Sequence, residues 1–171
     1  MTILVTAASR HGATRELADA IATRLRQHDL EVDVQNPAAV TSLTGVDAAI
    51  IGSAVYAGRW AREGRALIGR LTPVPQGLPV WLFSSGPLGD DGAREALPLS
   101  TVDELVASTG AQEHRIFAGR LDRGRLSLAE RAVAKAVHAP EGDFRDWHEV
   151  EAWADTIAAT LSRDARQVEA S

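Results

Sequence analysis

The sequence predicts an α/β protein: a doubly wound parallel sheet of five strands with helices on both faces. Three observations carry this expectation. Strand-like and helix-like segments alternate five times along the 171 residues, the pattern of βαβ units. Most of the strand-like segments are short, continuous apolar runs, as strands buried on both faces are. The first, third and fourth of them end in loops rich in glycine and serine, and open parallel sheets bind their ligands beyond such strand ends.

Each element has its own warrant. Ile3-Leu4-Val5, flanked by Thr2 and Thr6, reads as a buried strand. From Thr14 to about Gln27, the residues Leu17, Ala18, Ile21 and Leu25 fall on one helical face. Leu30 to Val34 alternates apolar and acidic residues, which predicts a half-exposed edge strand ended by Asn36-Pro37. The stretch to Thr44 carries at most a short helix. Val46 to Ser53 is the clearest buried strand and feeds a loop from Ala54 to Arg59. Trp60 to Leu71 is predicted helical, with Trp60, Leu67, Ile68 and Leu71 facing inward and Pro73 as the stop. Leu78 to Ser84 is a further buried strand, running into a Gly/Pro loop from Ser85 to Gly92. Thr101-Val-Asp-Glu104 reads as the capping box of a helix closed by Gly110, and Glu113 to Ala118 as the fifth strand. Ser127-Leu-Ala-Glu130 caps a helix to about Val137, and Asp146-Trp-His-Glu149 caps the last one, with Val150, Trp153, Ile157 and Leu161 inward. One domain is expected over residues 1–163, with 164–171 a disordered tail.

Composition excludes several classes of function. A formal net charge of -5 argues against a general nucleic-acid binder. The absence of cysteine removes disulfides, thiolate metal sites and a thiol nucleophile. The five histidines show no metal-ligand spacing, so no metal is expected. Nothing at the start resembles a secretion signal, and the most apolar stretch, Ala48 to Gly58, is far short of a membrane span. A cytoplasmic protein is the expectation. Lysine occurs once, at Lys135, against 17 arginines, and arginine favours bidentate recognition of anions.

The chemistry concentrates at Ser9-Arg10-His11-Gly12-Ala13-Thr14, between the first strand and the first helix. The N–H groups of a first helical turn point outward together, and the helix dipole favours an anion there. Ser9 and Thr14 offer hydroxyl donors, and Gly12 allows close backbone approach; the simpler alternative is that Ser9 or Thr14 only caps the helix. No Gly-x-Gly-x-x-Gly, Gly-x-x-x-x-Gly-Lys or Gly-x-Ser-x-Gly occurs here, so a dinucleotide fold, a P-loop and a hydrolase elbow all fit poorly.

These motifs resemble those of the flavodoxin family. Ser9 to Thr14 is similar to its phosphate loop, a hydroxyl-rich turn closing in Gly-x-Thr, and Ile51-Gly-Ser-Ala-Val-Tyr-Ala-Gly-Arg-Trp60 is similar to its second flavin loop. The finer likeness is to the branch that includes menaquinone-dependent protoporphyrinogen oxidases. It rests on Gly52-Ser53 followed by Tyr56-x-Gly58, on Phe117-Ala-Gly-Arg-Leu121, and on Asp146-Trp147 before the final helix. The resemblance implies a flavodoxin-like sheet in the order 2-1-3-4-5 and FMN as cofactor. It also implies site residues. Ser9, Arg10, His11, Gly12, Ala13 and Thr14 would hold the phosphate. Ser53, Ala54, Val55, Tyr56, Ala57 and Gly58 would line one side of the ring. Ser84, Ser85, Gly86, Pro87, Leu88 and Gly89 would take the other. Tyr56 is the stacking candidate, and Trp60 is expected in the core. Arg10 and His11 stand where many flavodoxins have small hydroxyl residues, and Arg10 offers a charge-assisted bond instead. The third loop lacks a covering aromatic residue, which leaves the ring face open to a flat substrate.

Charge placement adds a discriminator. Residues 59–70 and 115–125 each hold four arginines and one acid. A basic rim suits an anionic substrate, whereas carrier flavodoxins present acidic rims to their partners. The helix from Leu126 to Val137 is expected to pack on the domain's own sheet, with a peripheral membrane contact or a partner as the alternative. Three functions follow in order. The first is an FMN-dependent oxidoreductase, oxidising a porphyrinogen-type or other small anionic substrate with a quinone acceptor. The others are a non-catalytic electron carrier and a flavin-free interaction module.

Overall fold

The computed structural model describes residues 1–56, 58–86, 99–136 and 141–169. Its strands are β1 (Thr2–Ala8), β2 (Glu31–Gln35), β3 (Ala48–Tyr56), β4 (Arg59–Trp60), β5 (Val80–Ser85), β6 (Glu113–Phe117), β7 (Arg120–Leu121) and β8 (Gly142–Asp143). Its helices are α1 (Ala13–Arg26), α2 (Arg62–Leu71), α3 (Leu99–Thr109), α4 (Leu128–Ala136) and α5 (Trp147–Glu169). Five parallel strands run in the order β2-β1-β3-β5-β6, which is the expected 2-1-3-4-5 once β4 is set aside. β4 pairs antiparallel with the end of β3, and β7 with β8 in a separate ribbon.

Alternation explains how continuous apolar runs serve two layers, because successive side chains point to opposite faces. Ile3, Val5, Ala48, Ile50, Trp81 and Phe83 join α1 and α5 in one core, around Leu17, Ile21, Trp153 and Ile157. Leu4, Ala49, Ile51, Val80 and Leu82 join Leu67, Ile68, Leu71 and Leu105 on the opposite face. Trp153 is 1% exposed and meets Phe83 and Phe117 edge-on, while its indole N–H reaches Glu113 at 2.9 Å.

Three expectations need correction. β3 runs on to Tyr56, and Trp60 pairs with Val55 instead of opening a helix. The pairing of Tyr56 with Arg59 closes the turn tightly, and Gly58 has φ +70°, which suits a tight hairpin. No short helix forms after β2: Asn36 Oδ1 accepts from the Ala38 N–H in a turn, and Val40 and Leu43 anchor the segment in the core. α3 begins at Leu99, so Thr101 lies inside the helix and not at its cap. The last helix is described to Glu169, where Arg, Ala, Gln and Glu are good helix formers. On α4, Leu128 is 83% exposed and Ala134 is buried; the Val133 and Ala136 side chains and Val137, on the expected inner face, lie outside what is described. The Asp146 cap forms as expected, with the Glu149 N–H on its carboxylate, and Ser127 stands at the start of α4, its carbonyl accepting the Arg131 N–H.

Candidate functional site

Parallel register brings three strand ends side by side. Ala8 lies opposite Ser53, Ser53 opposite Ser84, and Ala54 opposite Ser85. The loops after β1, β3 and β5 therefore leave the sheet along one edge, between strands whose connections diverge to opposite faces.

The first loop is shaped by its own residues. The Ser9 hydroxyl accepts the Gly12 N–H at 3.0 Å, and Gly12 takes φ +91° in the left-handed region, where a Cβ would be strained. No side-chain hydrogen bond caps α1 there, so the N–H groups of its first turn face outward as an anion cradle. Arg10 and His11 form the crest. Thr14 is 2% exposed, buried beneath the loop. Arg125, from the turn after β7, donates to the His11 carbonyl at 3.1 Å.

A charged cluster holds the start of α1 in place. Arg120 makes two 3.0 Å bonds to the Glu16 carboxylate. Arg145, whose side chain is 2% exposed, donates to Glu16 at 2.7 Å, to the Ala13 carbonyl at 3.2 Å and to Asp143, and stacks 4.5 Å over Trp147. Burial pushes the Glu16 carboxyl up, but its bonds from Arg145 and Arg120 hold it below the ordinary value. The Arg145 hydrogen bond likewise lowers the Asp143 carboxyl. Glu16 lies one turn from the cradle, and pairing with two guanidinium groups offsets the repulsion it would exert on an anion bound there. Sequence reading missed Arg145, because its partners lie up to 132 positions away. The one local signal was Asp143 two residues earlier.

The second loop is the β3–β4 hairpin. Tyr56 is 38% exposed, and the Arg10 guanidinium carbon stands 5.5 Å from its ring centre, so the first two loops touch. Ser53 and Ser84, both 0% exposed, turn their hydroxyls inward. The Ser53 hydroxyl donates to the Ala54 carbonyl and accepts the Ala61 N–H. The Ser84 hydroxyl accepts the Trp60 indole N–H at 2.7 Å and meets His114 Nε2 at 2.8 Å. The Ser84 hydroxyl can thus give its proton to Nε2 or take one from it, according to the His114 tautomer. Burial pushes the His114 pKa down to about 4, with Glu113 opposing.

At the third strand end Ser85 is 4% exposed. The Gly86 N–H donates to the Phe117 carbonyl, and a Cβ on Gly119 would lie 2.9 Å from Gly86 Cα, so two backbones pass in contact. Ala57, Pro87, Leu88 and Gly89 lie outside the described residues. Ser9 to Thr14, Tyr56, Gly58, Ser85 and Gly86 thus converge on one edge. Ala54 and Val55 supply backbone beneath it, and the hydroxyls of Ser53, Ser84 and Thr14 point into or under the fold.

Comparison with known proteins fits this geometry. The sequence model of a family described as the flavodoxin domain matches residues 4–147. A search of curated proteins finds no significant match. Among solved structures, the chain resembles the flavodoxin of Streptococcus pneumoniae TIGR4 at a TM-score of 0.65 and 21% identity, covering 94% of this chain and 99% of that one. It resembles rubredoxin oxygen:oxidoreductase of Desulfovibrio gigas at a TM-score of 0.65 and 15% identity, covering 95% of this chain but 36% of that larger one. An archaeal flavodoxin matches at 0.61 and 16% identity over 95% and 99% of the two chains. Nothing in these comparisons points to the protoporphyrinogen-oxidase branch. Among the described residues, no helix is long and apolar enough to cross a membrane.

Proposed function

The chain belongs to the flavodoxin domain family, whose cofactor is FMN, and on that premise we propose that it is an electron-transfer protein holding FMN across the ends of β1, β3 and β5. The observation that carries this reading is the uncapped start of α1, opened by left-handed Gly12 and aligned by register with the ends of β3 and β5. The first-turn N–H groups of α1 would receive the phosphate, with Ser9 fixing the turn. Tyr56 would offer a flat face to the ring, and Gly58, Ser85 and Gly86 the surrounding backbone. Bound FMN supplies transfer of one or two electrons. The protein supplies position and electrostatics. Arg10 must leave the Tyr56 face for a ring to stack there, and moving toward the phosphate would give it a charge-assisted bond.

Absorbance tests this directly. Freshly purified protein is expected to be yellow, or to become so when stripped protein is titrated with FMN. Riboflavin, which lacks the phosphate, should bind about tenfold more weakly or worse. Gly12→Val, which strains the cradle, should erase most of that difference. A colourless protein that takes up no added FMN overturns the proposal.

A second reading, turnover of a small anionic substrate, draws support from Arg10 and Arg125, which bring two guanidinium groups to the same edge. A porphyrinogen-type substrate with a quinone acceptor is the finer form of that reading. Anaerobic incubation of the FMN-loaded protein with protoporphyrinogen and a menaquinone analogue separates the two: a carrier leaves the substrate unchanged, and an oxidase converts it.

A further inference from the structure

A cavity of about 380 Å³ opens beside the end of β1, on the side of β2 and away from Tyr56 and Gly86. Arg10, Arg15, Arg62 and Arg70 line it, with Glu63 as the carboxylate among the lining residues. The chain as a whole carries a net charge of -5, so this concentration of positive charge is local, and a concave site focuses its field on what enters.

The helix α2 builds one wall. Arg62, Ala66 and Arg70 are four residues apart and so share one face, with the two arginine Cα atoms ~12 Å apart along the axis. The Arg70 guanidinium is fixed by the Pro37 carbonyl at 2.6 Å and the Val40 carbonyl at 3.4 Å. Ala66 between them is small, and its size leaves the cavity open. Guanidinium groups bind phosphate oxygens two at a time, and two linked phosphates offer oxygens to more of the four lining arginines than one phosphate does. A smaller cavity of about 160 Å³ shares Ala7, Arg15, Asn36 and Pro37 with the first and continues toward Asp19 and Gln35, which leaves room for a polar organic group.

We propose that this arginine-lined cavity between α2, the β1–α1 loop and the end of β2 is a second anion site, taking a small molecule with two linked phosphates. It touches the flavin-phosphate loop through Ser9 and Arg10 but stands whether or not FMN occupies the β3–β5 edge.

Calorimetric titration of the full chain with inorganic pyrophosphate tests it, before and after saturation with FMN. One saturable site is expected, retained in the FMN-saturated protein and weakened by salt. Ala66→Glu sets a carboxylate between the two arginines at an exposed helical position that glutamate tolerates. It should lower pyrophosphate affinity about tenfold or more while FMN binding stays at the wild-type level. Arg62→Gln should weaken pyrophosphate several-fold, and Arg163→Gln, on the exposed end of α5, should leave it unchanged. The absence of a saturable site overturns the proposal, as does a site that ignores Ala66→Glu. One-for-one displacement of pyrophosphate by FMN also overturns it, by assigning the ion to the loop at Ser9–Thr14. A protein that binds no FMN still reports on the pyrophosphate site, so the two proposals fail separately.

Discussion

At Ser84 a single hydroxyl ties three elements together, because the Trp60 indole of the hairpin and the His114 ring of β6 both meet it. Burial keeps His114 neutral in the fold down to about pH 4, while in the unfolded chain it titrates near 6.5. Between those values the unfolded state binds more protons, so stability must rise with pH across that window and be unaffected above it. Urea unfolding from pH 4 to 7 should show this slope, and His114→Gln, which keeps a hydrogen-bonding group for Ser84 but does not titrate, should flatten it. The inward direction of Ser84 and Ser53 was not legible in the sequence. Alternation assigns a side chain to a face only when one face is wet, and β3 and β5 are buried on both. Gly12 was legible, because a glycine before a helical pattern has few other reasons to be there.

Among elements, the β3–β4 hairpin differs most from the sequence expectation. Tyr-Ala-Gly-Arg between β-favouring residues is a hairpin signal, but the helical period of Leu67, Ile68 and Leu71 pulled Trp60 into the wrong element. The start of α1 depends on Arg145, which joins it to β8 and to Trp147 at the head of α5. Replacing it by methionine keeps much of the packing and removes every charged bond. Arg145→Met should cost about 2 kcal/mol at neutral pH, below the usual figure for a buried pair because the Glu16 and Asp143 side chains are each 42% exposed. Both carboxyls sit below their ordinary values in the fold. Their contribution is therefore present above the carboxylate range and lost as pH falls through and below about 4. Denaturation at pH 7 and pH 3 should show the gap between wild type and variant narrowing in acid.

For the molecule as a whole, layering was readable from short apolar runs alternating with helical faces, since the central strands had to feed two cores, whereas the sheet order came from the flavodoxin resemblance. The polar contacts that hold the edge together were not, because they join residues distant in the chain. A ligand that binds the folded chain alone raises its stability by mass action, about 2.7 kcal/mol at a hundredfold excess over Kd. FMN should therefore raise the melting temperature in proportion to the logarithm of its concentration, and riboflavin should do so less. The contact between Gly86 and Gly119 has a consequence for how this protein can change by descent. Gly86 is held to glycine by its φ of +88°, and Gly119 by the Gly86 backbone pressed against it. Gly86 accepts no side chain without strain whatever stands at 119, and a side chain at 119 must first displace the Gly86 backbone. The rim of the site is thus tied to the segment after β6 through a position that admits change only once its neighbour has moved.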